Sequence, residues 1–210
     1  MKGFSFSFFN IFSTLIIILL LVTILVPFKL INMEQAERIA KWKTVYEDLK
    51  YSFNLVNLHE GNIVPNLSEL DKIFSDDDMF ERIKPYLNFE NNEYTNPYNR
   101  GYFFKNATPV KKHTVFFFDK FIEIKNGVLV GIKKNYDYVD GHIKPEYIMF
   151  VDINGKYRPN LIGQDIFFIG VYSNEVMALG KNVKESLKAN CSILGNGVYC
   201  SEYYLMGGQL

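Results

Sequence analysis

The chain has 210 residues, with 23 Lys+Arg against 23 Asp+Glu and a formal net charge of zero. No basic block stands out to hold a phosphate backbone, so nucleic acid is excluded as the expected partner. Hydrophobic residues at 48% suffice for one globular core, and 19 Phe with 14 Tyr lean that core toward β structure.

Residues 1–31 read as a leader followed by a transmembrane anchor helix. No side chain between positions 4 and 28 is charged, and "LIIILLLVTILVPF" is apolar apart from Thr23. About 25 residues at 1.5 Å each reach roughly 37 Å, enough for a hydrocarbon core of about 30 Å. A cleaved secretory signal would have a shorter apolar run and a small-x-small site after it, which "VPFKLINMEQAERIA" does not offer. The basic residues Lys29, Arg38, Lys41 and Lys43 after the run favour a cytoplasmic C-terminal side on a simple count. Long domains can cross regardless of that count.

Residues 32–60 continue the helix in amphipathic form. Ile39, Trp42, Tyr46, Leu49, Phe53 and Val56 recur at steps of three and four, which makes one apolar stripe. Pro27 would kink such a helix without having to end it. Residues 61–110 form a mixed, variable region. "SDDDMFERIKPYL" reads as a short helix capped by Ser75, and "NFENNEYTNPYNRG" as a polar, turn-rich loop.

Over residues 111–210 the period changes to two, and an antiparallel sheet is expected. "KFIEIKNGVLVGI" reads as a hairpin around Asn126-Gly127, with Ile124 opposite Leu129 and Ile122 opposite Gly131. "EYIMFVDINGKYR" repeats the device at Asn154-Gly155, and "SILGNGVYC" repeats it before a short strand "YYL". The sheet needs cover on one face, which the amphipathic helix supplies. A two-residue turn at Gly195-Asn196 sets Cys191 opposite Cys200, close enough for a disulfide. The alternative is two unrelated buried thiols. A disulfide places this part of the chain outside the cytoplasm.

"VDINGKYRPNLIGQDIFF" carries most of the candidate chemistry. Asp152, Asn154 and Asp165 could offer oxygens to calcium, which takes six to eight of them. The EF-hand spacing is absent, and the other reading is a turn whose Asp and Asn side chains bond local amides. No other cofactor is expected. His59, His113 and His142 share no spacing with a carboxylate, and no hydrolase or phosphate-loop motif occurs, so the chain is not expected to be an enzyme.

The short basic leader "MKG" and "FSFSFF" opening an apolar helix resemble the start of type IV pilins and type II secretion pseudopilins. Asp152, Asn154-Gly155, Pro159-Asn160, Gly163 and Asp165-Ile166-Phe167, followed by Cys191 and Cys200, are similar in order to the C-terminal half of many bacterial prepilin-like proteins. The resemblance implies an α+β, pilin-like fold: a long N-terminal helix packed on a C-terminal antiparallel β-sheet. It implies leader cleavage after Gly3 by a prepilin peptidase and methylation of Phe4. It implies sibling prepilin or pseudopilin subunits as partners through the N-terminal helix, in a pilus, secretion or related filament machine. The implied location is the bacterial inner membrane, single-pass, with the C-terminal domain periplasmic or at the cell surface. The family's fifth mature residue is glutamate, whereas counting from Phe4 that place holds Phe8, which points to a minor or divergent member. The other class in view is a membrane-tethered, calcium-dependent extracytoplasmic binding module or adhesin.

Overall fold

The computed structural model describes residues 8–61, 76–87, 89–95, 98, 101–155, 157–183 and 186–208. Gly3, Phe4 and the expected cap Ser75 lie outside them. Helix α1 (Phe8–Glu60) contributes to two compact units, residues 1–37 and 38–210.

In the first unit the helix is mostly apolar over residues 11–26. Ile11, Phe12, Leu15 to Val22 and Ile24 to Val26 are all substantially exposed in the single chain. Its hydroxyls turn back onto the helix: Thr14 Oγ1 donates to the carbonyls of Asn10 (3.0 Å) and Ile11 (2.8 Å), and Thr23 Oγ1 to that of Leu20 (2.8 Å). Such back-bonding lets a hydroxyl do without water. The anchor helix expected over residues 1–31 lies partly outside the described residues. Among the described residues no helix is long and apolar enough to cross a membrane.

The second unit is α+β. Among the described residues six strands form one antiparallel sheet in sequence order: β1 (Phe89–Thr95), β2 (Phe121–Ile124), β3 (Val128–Lys134), β4 (Tyr147–Asp152), β5 (Ile166–Val171) and β6 (Val176–Ala178). Alternation sorts the side chains. Ile122, Val130, Met149, Val151, Phe167 and Ile169 share one core with the α1 stripe of Trp42, Tyr46, Leu49, Phe53 and Val56. Ile39 packs against that core partly buried. Helix α2 (Asp76–Ile83) adds Met79, Phe80 and Ile83.

The opposite face is buried too, contrary to the expectation of a single covered face. Phe121, Leu129, Ile148, Phe150 and Phe168 pack with Tyr98, Tyr102 and Phe118 from the irregular connection between β1 and β2. The connection is aromatic, so it can cover a sheet face without being a regular element. Strands β4 and β5 are accordingly buried at every position. The sheet also begins earlier than residue 111, because the expected polar loop contains β1.

Three turn assignments need correction. The first hairpin pairs Ile124 with Val128 and Ile122 with Val130, one residue from the expected register. Its loop has three residues, Lys125–Gly127, with Asn126 at φ 66° and Gly127 at φ 70°. Loops of two and three residues share the same Asn-Gly signal, so the sequence pattern does not separate them. The second hairpin is not tight, because β4 ends at Asp152 and β5 starts only at Ile166. The third is not a hairpin at all. Helices α3 (Leu187–Asn190) and α4 (Cys200–Leu205) replace it, and "YYL" is helical. Burial of Cys200, Ser201 and Tyr204 on one side of α4 follows helical spacing.

Candidate functional site

The stretch singled out in the sequence is the β4–β5 connection, residues 153–165, and the acids at its two ends come together. Asp152 is the last residue of β4 and Asp165 stands just before β5; both are fully buried. Asp152 Oδ1 accepts the Asn154 N–H at 3.0 Å, and its Oδ2 accepts the Tyr98 hydroxyl at 2.5 Å. Asp165 Oδ1 accepts the Leu161 N–H at 2.6 Å, and Oδ2 accepts the Asn160 N–H at 2.7 Å. Asn154 Nδ2 donates to the Arg158 carbonyl at 3.2 Å. Asn160 holds φ 56° and Gly155 φ 65°, and the Arg158–Pro159 peptide is cis.

Electrostatics follow from burial. Desolvation pushes the Asp165 carboxyl up to about 6, against the stabilising N–H groups of Leu161 and Asn160. Desolvation holds Asp152 well above the usual carboxylate range, and the neighbouring Asp165 charge adds to this. Tyr98 is raised first by burial and then by the Asp152 charge.

The geometry brings Asp152, Asn154 and Asp165 into one place: the two carboxylates accept from Asn154, Asn160, Leu161 and Tyr98, and Asn154 donates. Each of the four carboxylate oxygens already takes an N–H or O–H. Among the described residues no group of three or more His, Cys, Asp or Glu side chains could hold a metal ion. The arrangement braces the connection, while the buried Asn154 Oδ1 and Asn160 Oδ1 of the same loop have no hydrogen-bond partner.

The connection in turn leans on the disulfide. Cys191, at the end of α3, and Cys200, the first residue of α4, are bonded, with Cα atoms 5.0 Å apart. Gly163, at φ +80°, lets the two loops touch. A Cβ at this position would lie 2.6 Å from Cys200 Sγ and 2.8 Å from the Gly197 carbonyl oxygen. The Gly163 carbonyl accepts Tyr204 Oη at 3.2 Å and Lys105 Nζ at 3.3 Å. Burial, with Arg38 nearby as a second cause, lowers the Lys105 ammonium to about 8. At the tip of the disulfide loop Ile193 and Leu194 are 82% and 88% exposed.

Tyr98, Lys105 and Tyr204 complete this assembly and carried no signal in the sequence, because each reaches the connection from a remote segment. His59, by contrast, is at the end of α1 and shares a 3.3 Å hydrogen bond with Tyr86. His113 and His142 occupy separate loops of the second unit. Protein-family models, curated proteins and solved structures give no match to this chain.

Proposed function

We propose that the chain is a membrane-anchored prepilin-like subunit, a minor pilin or pseudopilin, of a type IV pilus, type II secretion or related filament machine. The observation that carries this reading is the division of labour along α1. Its later turns bury Trp42, Leu49, Phe53 and Val56 on an antiparallel sheet, while its earlier turns leave a mostly apolar surface exposed. Such a surface is unstable in water and calls for lipid or other apolar helices. The Cys191–Cys200 bond supports placing the second unit outside the cytoplasm, at the inner membrane or the cell surface. Phe8, at the place where the family carries glutamate, supports a minor over a major subunit. An uncharged residue there has no carboxylate to pair with a neighbouring amine.

In this reading the partners are sibling prepilins through α1 and a prepilin peptidase at Gly3-Phe4. The experiment is affinity purification of the tagged full chain from membranes that also contain the assembly machinery. Sibling prepilins should copurify, and the chain expressed without them should form no filaments. Abundant filaments of this chain alone, or recovery free of any prepilin, would contradict the assignment. A second reading, an extracytoplasmic binding module, draws on the exposed Ile193-Leu194 pair of the disulfide loop, and it requires no processing after Gly3.

A further inference from the structure

In the first unit, three of the few polar residues of α1 fall on one face. Over residues 8–26 only Asn10, Ser13, Thr14 and Thr23 are polar. Asn10, Ser13 and Thr14 stand at i, i+3 and i+4, the spacing of neighbours on a helix surface. The threonine hydroxyls bond back to carbonyls of their own helix. None of those bonds uses the Asn10 amide or the Ser13 hydroxyl, and both residues are exposed. The amide carries two donors and an acceptor, and an unmatched group of this kind is costly in an apolar medium. The same face continues along the helix. Reading in sevens from Asn10 places Asn10, Ile17 and Ile24 at one position, with Ser13 and Leu20 three residues after it. That is a helix-pairing seam with β-branched residues at its first place and Leu at its second, a pattern that favours two parallel strands. Ile17, Leu20 and Ile24 are 54%, 57% and 68% exposed in the single chain, so the seam is open.

We propose that this face pairs with the same face of a second copy of the chain, parallel in the membrane, with the two Asn10 amides bonded to each other. This pairing rests on the membrane-anchored reading above. A second copy is the occupant that the seam specifies. An amide is its own hydrogen-bond complement, N–H to C=O, and two copies inserted in the same orientation bring it to the same depth. Lipid offers neither donor nor acceptor there. A single Asn in such a seam also fixes the register and the number of strands. Ser13, one turn on, is small enough to let the two backbones approach beside it. Two heptads are few for pairing in water, and apolar residues gain little by leaving lipid for another helix, so the amide pair supplies the specificity. A two-fold pair is closed. It builds no filament by itself, and it leaves the other faces of the helix to lipid and to sibling subunits.

The test is cysteine crosslinking of the full chain in membranes that contain no sibling prepilin. Ile17→Cys lies on the seam and Leu19→Cys on the side of the helix away from Asn10. The native cysteines are bonded to each other and buried, so they do not compete. On mild oxidation Ile17→Cys should give a disulfide-linked dimer and Leu19→Cys should not. Adding Asn10→Leu should lower the dimer yield about 3- to 30-fold, the range of an interhelical hydrogen bond in lipid. Asn10→Gln should keep most of it. No dimer from Ile17→Cys, equal dimer from both positions, or a yield that Asn10→Leu leaves unchanged overturns the pairing. Crosslinking of Ile17→Cys only when sibling prepilins are supplied overturns it too. A carbonate wash of the membranes separates the two levels of failure. A chain that stays in the washed membranes but does not crosslink refutes the pairing alone, whereas a chain released by the wash refutes the membrane-anchored reading as well.

Discussion

Gly155 shows how one residue can hold two loops together. It sits at φ +65°, and a Cβ there would lie 2.3 Å from the Gly127 carbonyl oxygen in the β2–β3 loop. Gly155→Val therefore meets a backbone conformation that β-branched residues avoid and a backbone atom that cannot move aside cheaply. The expected loss is about 1–3 kcal/mol from the conformation, with the steric overlap added to it, and urea denaturation of the variant measures it. Asp165→Asn is more damaging than its conservative look suggests. Both carboxylate oxygens accept a backbone N–H, so an amide must turn its own N–H₂ toward one of them. About 1–3 kcal/mol should be lost.

The same carboxylate sets a pH dependence. Its folded pKa is raised from 3.8 to about 6, so the folded state binds the proton more tightly than the unfolded chain. Its contribution is fully present below pH ~4 and is lost as pH rises through about 6. The wild type should thus become less stable between these limits, and Asp165→Asn should flatten that part of the curve. Melts across pH 4 to 7 read both slopes. A wild-type midpoint that rises over the whole window would show that Asp165 is not held as described. The bonding of Asp152 and Asp165 to nearby backbone amides was legible in the sequence, because turn chemistry pointed to it. Tyr98 was not, since it stands 54 residues from Asp152 and nothing local marks it.

At the scale of elements, the most readable feature was the α1 stripe, because a period of 3.6 over several turns has few rival explanations. Trp42 stacks on Phe167 at 4.5 Å between ring centroids and donates its indole N–H to the Ser201 carbonyl at 2.9 Å. The stripe thus ties the sheet and α4 to the helix. Leu49→Ala should cost about 2–5 kcal/mol by opening a cavity in this core. Tyr51→Ala, two residues on at a 64% exposed position, should stay within about 0.5 kcal/mol. Equal losses for both would mean that the stripe does not carry the packing.

Shorter elements were harder to read. "YYL" is aromatic enough for a strand, and only burial of Cys200, Ser201 and Tyr204 reveals the helix. The cysteine pairing was reached from a hairpin that does not exist, yet the two helices bring the same residues together. Removing the bond with Cys191→Ser and Cys200→Ser should lower stability by about 2–3 kcal/mol, given the small loop it closes. Peptide mapping without reductant should recover the linked Cys191 and Cys200 peptides from wild-type protein, and free thiols in material from an oxidising compartment would contradict the pairing.

For the molecule as a whole, the α+β class could be read from the order of signals, a helical period followed by a period of two. The double-faced burial of the sheet could not, because its second cover is an irregular aromatic connection with no period to detect. The proposed function rests on the contrast between the two parts of α1. In the proposed reading the mostly apolar surface over residues 10–26 is met by lipid before assembly and by like helices after it. Processing at Gly3-Phe4 is the step that separates such a subunit from a permanently tethered binding module. The most direct measurement is the intact mass of the full chain recovered from membranes containing the prepilin peptidase and assembly machinery. The account predicts a chain beginning at Phe4 and carrying one N-terminal methyl group. A chain that keeps residues 1–3 under the same conditions, while other prepilins in the sample are processed, would contradict it.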